Sequence, residues 1–114
     1  MVHHGGVGST ALALSAGRPM LVVPIEDDHP DNAARMYGLG VARVIAPSNY
    51  NAASAAAELR HLLTQPAYLA RARQLSKCLR GENGAAVACD AIEQHLARSV
   101  RTRKFRAAAG YDPD

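Results

Sequence analysis

The chain has 114 residues and a formal charge of +3, enough for one small domain and not for two. Hydrophobic residues make up 48% of it, but aromatics only 4% and Trp none, so the apolar mass is Ala, Leu and Val, which suits helices packed closely on a few strands. No run of 18 apolar residues occurs, which excludes a membrane-spanning helix, and Met1 leads almost at once into a glycine loop, so no signal peptide is expected.

Residues 3–15, His-His-Gly-Gly-Val-Gly-Ser-Thr-Ala-Leu-Ala-Leu-Ser, read as a glycine-rich loop feeding a helix over Ser9–Ala16, with Ala11, Leu12, Leu14 and Ala16 as its apolar positions. Ser9 or Thr10 can cap it, and Gly17 ends it. Pro19 to Pro24 encloses the apolar run Met20-Leu21-Val22-Val23, the pattern of a strand buried on both faces of a parallel sheet. Residues 25–30 form a loop at the carboxyl end of that strand, where open α/β sheets bind ligands. A helix is expected over Asp31–Gly38, a short strand over Val41–Ile45, and a turn at Pro47-Ser48-Asn49. The remainder is helical: 51–63 with Ala55, Leu59, Leu62 and Leu63 inward, 67–80 with Leu69, Ala72, Leu75 and Leu79 inward and Pro66 at its first turn, and 85–96 with Ala88, Ile92 and Leu96 inward. The sequence indicates an α/β fold, a short parallel sheet flanked by helices with a helical C-terminal part. Its domain spans 1–97, followed by a basic, flexible tail over 98–114. A phosphate loop normally follows a strand, and only Met1-Val2 precedes this one. The chain is therefore expected to start in the middle of a fold whose first strand lies upstream.

The chemistry sits in the loop. Gly5, Gly6 and Gly8 let backbone amides approach a ligand closely. A helix start adds unpaired N–H groups and roughly half a positive charge, and His3 and His4 add side-chain donors. The arrangement suits a phosphate or diphosphate; a simple glycine turn with nothing bound has the same composition. It is not a Walker loop, because Gly-Lys-Ser/Thr is missing, and Ala11 replaces the third glycine of a dinucleotide fingerprint. Adjacent histidines diverge and have no His-x-x-x-His or Cys-x-x-Cys companion, so zinc is not expected. The loop Glu26-Asp27-Asp28-His29 offers acids and an imidazole to hydroxyls, or else Asp28 or Asp31 simply caps the next helix. Cys78 and Cys89 form no metal motif and suit a reducing compartment. The tail cations Arg98, Arg101, Arg103, Lys104 and Arg106 come without interleaved aromatics, apart from Phe105, so no nucleic-acid partner is expected.

Residues 2–45 resemble the C-terminal domain of UDP-dependent glycosyltransferases of the two-Rossmann-domain (GT-B) fold. The resemblance rests on Val-His-His-Gly-Gly-Val-Gly-Ser-Thr, then Ala-Gly-Arg-Pro-Met-Leu-Val-Val-Pro, Asp-His-Pro-Asp-Asn-Ala-Ala-Arg and Leu-Gly-Val-Ala-Arg, in order and at family spacing. It extends to about residue 97 through Glu-Asn-Gly-Ala-Ala at 82–86, and is strongest to bacterial members acting on lipids, macrolides or sterols.

The resemblance implies that His4 donates to a diphosphate, which the loop at Gly6 and the amides of Gly8, Ser9 and Thr10, with a Ser or Thr hydroxyl, would cradle. Asp28 and His29 stand where the family has Asp-Gln binding sugar hydroxyls. Asn32 belongs to the same segment, and His3 is a loop support. His29 in place of Gln leaves the donor sugar open, and Leu12 stands where plant members carry a ribose-binding Glu. The implied reaction is transfer of a hexosyl group from a UDP- or dTDP-sugar to an acceptor hydroxyl, with inversion and without a metal or other cofactor. Its general base belongs to an N-terminal Rossmann domain, in cis or in trans, that also receives a small-molecule or lipid acceptor. The implied location is cytoplasmic or peripheral at the inner membrane. On this reading the chain alone does not turn over and associates through an exposed sheet edge. The competing expectation is a non-catalytic nucleotide-sugar-binding or docking module.

Overall fold

The structure is a computed structural model that describes the backbone of residues 1–108 and the side chains of residues 1–99. It divides into two units, Met1–Gly81 and a second beginning at Glu82.

The first unit is built on three parallel strands, β1 (Val2–His3), β2 (Met20–Val22) and β3 (Ala42–Val44), in that spatial order. Val2 stands opposite Leu21, and Leu21 opposite Arg43. Val2–His3 is thus the strand that leads into the glycine loop, one residue further along than the Met1-Val2 the sequence offers. Its backbone is tied to β2 by the Leu21 amide donating to the Met1 carbonyl at 2.8 Å and the Val23 amide to the His3 carbonyl at 2.9 Å. Helix α1 (Val7–Ser15) links β1 to β2, and α2 (His29–Gly38) links β2 to β3.

The centre of the sheet is the proline-bounded run. Met20, Leu21 and Val22 are fully buried. Side chains alternate along a strand, so Met20 and Val22 join Ala13, Ala33, Met36, Val41, Ala42 and Ala72 on one face. Leu21 joins Ile45 and Leu62 on the other. Helices α3 (Ala52–Thr64) and α4 (Pro66–Arg80) complete the layers, Leu62 coming from α3 and Ala72 from α4.

The starts of α1 and α2 fall two residues before the sequence expectation. Helix α1 starts at Val7, and its N-cap is Gly6 with no side-chain bond, so neither Ser9 nor Thr10 caps it. Thr10 is instead buried, its hydroxyl donating to the Gly5 carbonyl at 3.4 Å. The inward positions of α1 are Thr10 and Ala13, with Leu14 partly buried, while Leu12 is exposed. Helix α2 starts at His29, with Pro30 in its first turn, and Asp28 precedes it without making a capping bond. Helix α3 opens on a reciprocal cap: the Asn51 side chain accepts from the Ala53 and Ser54 amides at 3.0 Å, and Ser54 accepts from the Asn51 amide at 3.1 Å. Leu63, expected inward, is exposed.

The second unit contains helix α5 (Gly84–Ala108), whose first turn is capped by Asn83 accepting from the Ala86 amide at 3.1 Å. It continues past residue 96, where the sequence suggests a stop. Ala88, Ile92 and Leu96, expected to face inward, are exposed. The rest of the tail, residues 109–114, and the side chains of Arg101, Arg103, Lys104 and Arg106 lie outside the described residues.

Candidate functional site: a glycine loop at a helix start

The loop leaves the carboxyl end of β1 and enters α1 within three residues. Gly5 makes the turn at φ +99°, a conformation that L side chains rarely adopt. It is also tightly enclosed: a Cβ there would lie 3.1 Å from the His29 carbonyl oxygen and 3.1 Å from Val22 Cγ1. The first intrahelical bond of α1 is Thr10 N–H to the Gly6 carbonyl, 3.0 Å. The amides of Val7, Gly8 and Ser9 precede it and so have no intrahelical acceptor. Three N–H groups and the positive end of the α1 dipole therefore face the same space, the requirement for an anion site.

The first turn of α2 holds this loop in place. The Asn32 side-chain amide donates both to the Gly5 carbonyl at 3.0 Å and to Asp28 Oδ2 at 2.8 Å. The His29 ring lies edge-on to the His4 ring, centroids 4.5 Å apart at 63°. The Glu26 amide donates to His29 Nδ1 at 3.4 Å. Asp27 in the same loop has φ +52°, and Asp28 presents an exposed carboxylate.

His3 is a support for the loop. Its Nδ1 accepts from the Gly5 amide at 3.1 Å, which puts the proton of the neutral ring on Nε2, a buried atom without a partner among the described residues. Burial, with the nearby His4 and N-terminal charges as smaller causes, pushes the His3 pKa down. Among the described residues no three His, Cys, Asp or Glu side chains converge as metal ligands, and both cysteines are free and exposed.

The structure therefore gathers His4, Gly6, Gly8 and Ser9 around the start of α1, with Asp28 and His29 beside them at the start of α2. Thr10 differs: its amide and hydroxyl are both engaged within the loop. The Val7 amide takes its place among the free donors, a position the sequence conceals because a backbone donor carries no side-chain signature. An apolar groove of about 420 Å³ lined by Met1, Pro19, Leu59, Leu62, Leu63 and Leu69 lies apart from all of these residues.

Residues 1–96 match the model of the erythromycin biosynthesis protein CIII-like C-terminal domain. The O-mycaminosyltylonolide 6-deoxyallosyltransferase of Streptomyces fradiae is 42% identical over 95 residues, covering 82% of this chain and 22% of its own. The crystal structure of the glycotransferase of kitacinnamycin overlays with a TM-score of 0.74 at 36% identity, over 82% of this chain and 24% of that one. Glycosyltransferase VinC, crystallised with dTDP, overlays with a TM-score of 0.64 at 34% identity, over 67% of this chain and 19% of its own. The chain thus spans about a fifth of the length of these relatives. By its sequence match and by the fold just described, the chain belongs to the erythromycin biosynthesis protein CIII-like C-terminal domain family, the C-terminal domain of GT-B glycosyltransferases.

Proposed function

We propose that this chain is the donor-binding half of a glycosyltransferase that moves a hexosyl group from a UDP- or dTDP-sugar to an acceptor hydroxyl with inversion. The observation that carries the reading is the start of α1, where the Val7, Gly8 and Ser9 amides have no intrahelical acceptor and the His4 imidazole lies beside Gly6. A diphosphate leaving group accumulates negative charge as the glycosidic bond breaks. Fixed N–H donors stabilise that charge without needing to reorganise. His4 adds a donor that can approach the same oxygens. The exposed carboxylate of Asp28 is the group offered to sugar hydroxyls, oriented by the bond from Asn32. No metal ion is required by this scheme, because the amides and His4 carry the charge stabilisation.

Inversion also needs a base that takes the acceptor proton on the opposite face of the sugar. We assign that base, and the pocket for a small-molecule or lipid acceptor, to an N-terminal Rossmann domain joined in cis or in trans. The purified chain then binds donor and does not turn over.

The test is a calorimetric titration of the chain with UDP, dTDP and UDP-glucose, repeated on His4→Ala and Ser9→Ala. Binding that weakens about tenfold in His4→Ala, the value of one charge-assisted hydrogen bond, supports the reading. A folded chain that binds none of the three, or binds them equally well without His4, rejects it.

A further inference from the structure

Asp28 and His29 are neighbours in sequence but not in circumstance. The Asp28 side chain is 61% exposed, that of His29 only 15%. A ring so enclosed has little surface left for a sugar. Its surroundings are specific. The Glu26 amide occupies Nδ1, leaving the neutral ring's proton on Nε2, 4.0 Å from Asp28 Oδ1. The His29 carbonyl oxygen and Cβ press on Gly5, 3.1 and 3.4 Å from where a Cβ would stand. The residue is the first of α2, so its backbone is held by the helix. The His29 ring also meets the ring of His4 edge-on.

His4 itself is exposed and hangs from a loop. Without a neighbour, an exposed imidazole samples several rotamers, and binding must select one of them. Two neighbours restrict it: the His29 ring on one side, and Gly6, whose missing Cβ leaves room for His4 Nε2. We infer that His29 is a positioning residue for His4, fixing the imidazole that donates to the diphosphate, and is not itself a ligand of the sugar ring. The inference rests on the reading of the glycine loop as a diphosphate site.

UDP decides the matter, because it has the diphosphate and no sugar. We expect His29→Ala to weaken UDP and UDP-glucose by the same factor, roughly five- to tenfold, the value of one aromatic pair contact. His29→Phe, which keeps the ring edge and loses both nitrogens, should bind UDP within about twofold of wild type. In a His4→Ala background, His29→Ala should have no further effect, since a residue acting through His4 has nothing left to position. Should His29→Ala not fold, His29→Phe and His29→Gln form the comparison, ring kept against ring lost. Three results would overturn the inference: UDP affinity unchanged in His29→Ala while UDP-glucose weakens; equal losses in the Phe and Gln variants; or additive losses in the double variant. Each of these leaves the diphosphate reading intact so long as His4→Ala alone weakens UDP. If wild type binds UDP but His4→Ala binds as well, the diphosphate reading fails first and takes this inference with it. If the folded wild type binds dTDP and not UDP, the same comparisons are read with dTDP and a dTDP-sugar; a folded wild type that binds neither diphosphate ends both.

Discussion

The Nε2 atom of His4 lies 2.6 Å from the point where a Cβ on Gly6 would stand. No side chain tolerates that approach, so glycine at 6 is a condition of the His4 conformation. The Gly6 backbone, at φ −60° and ψ 148°, is one that alanine adopts without strain. Gly6→Ala should therefore fold normally and swing His4 aside. The expected outcome is UDP affinity reduced to the level of His4→Ala, about tenfold, with a thermal midpoint close to wild type. Gly5→Ala is the contrast: at φ +99° and with backbone 3.1 Å away, it should lose about 3 kcal/mol of stability. Calorimetry and thermal denaturation of the two variants separate the roles.

Asn32→Ala removes the bond to the Gly5 carbonyl and the bond to Asp28 together. The Gly5 carbonyl is then left with the longer bond from Thr10. A loss of about 1–2 kcal/mol is expected, a fall of roughly 5–10 °C in midpoint for a domain of this size. Donor binding should weaken as well, because the glycine loop loses its tether to α2. A variant as stable as wild type would show that the two bonds contribute nothing net.

Arg43 on β3 and Glu58 on α3 meet as a two-bonded pair, Nη2 to Oε1 at 3.1 Å and Nε to Oε2, with side chains 28% and 25% exposed. The Arg43 hydrogen bond holds the Glu58 carboxyl below its ordinary 4.5. A lowered acid pKa means that the unfolded state takes up the proton first. The stability from this pair is complete above about pH 4.5 and disappears as pH falls through the folded value. Glu58→Gln should lose about 1.5 kcal/mol at pH 7 and show a flatter decline below pH 5, both measurable by urea unfolding. A parallel decline in the two proteins would remove the pair as the cause.

His3 gives a second pH dependence, in the same direction but nearer neutrality. Its pKa lies below the ordinary 6.5, chiefly because its ring is buried. Above 6.5 the ring is neutral in both states and adds no pH dependence. Below it the unfolded chain binds a proton that the folded chain resists, since protonation breaks the bond from Gly5 N–H to Nδ1. Stability should thus fall as the solution is taken from pH 7.5 to about 5.5, and His3→Asn should reduce the slope. Urea midpoints at the two pH values check it, and an unchanged slope would place the titration elsewhere.

What the sequence makes legible here depends on where the information is stored. The buried strand is plain, because two prolines bracket an unbroken apolar run whose two faces are both covered. The starts of α1 and α2 are displaced by two residues. Gly6 and Asp28 precede those helices without capping bonds, so the expected Ser, Thr or Asp signal is absent or misleading. The inward face of α1 is not legible in the sequence, because Ala and Leu occur on all sides of it and periodicity has little contrast to work with. At the site, His4, Gly6, Gly8 and Ser9 are adjacent in sequence and so readable together. The bond from Asn32 to Gly5 joins residues 27 apart, and only the βαβ crossover brings them within reach.

That crossover ties recognition to folding. Since Asn32 and His29 arrive from α2, the loop has its geometry only after β1, α1, β2 and the start of α2 have assembled. A ligand that reads this geometry binds the native chain and not the unfolded one, so mass action stabilises whatever it binds. At a hundred times its Kd the gain is about 2.7 kcal/mol, a rise of roughly 13 °C in midpoint on the same scale as for Asn32→Ala. Melting curves recorded against a panel of nucleotide sugars would then rank donors by affinity, with no acceptor and no turnover needed.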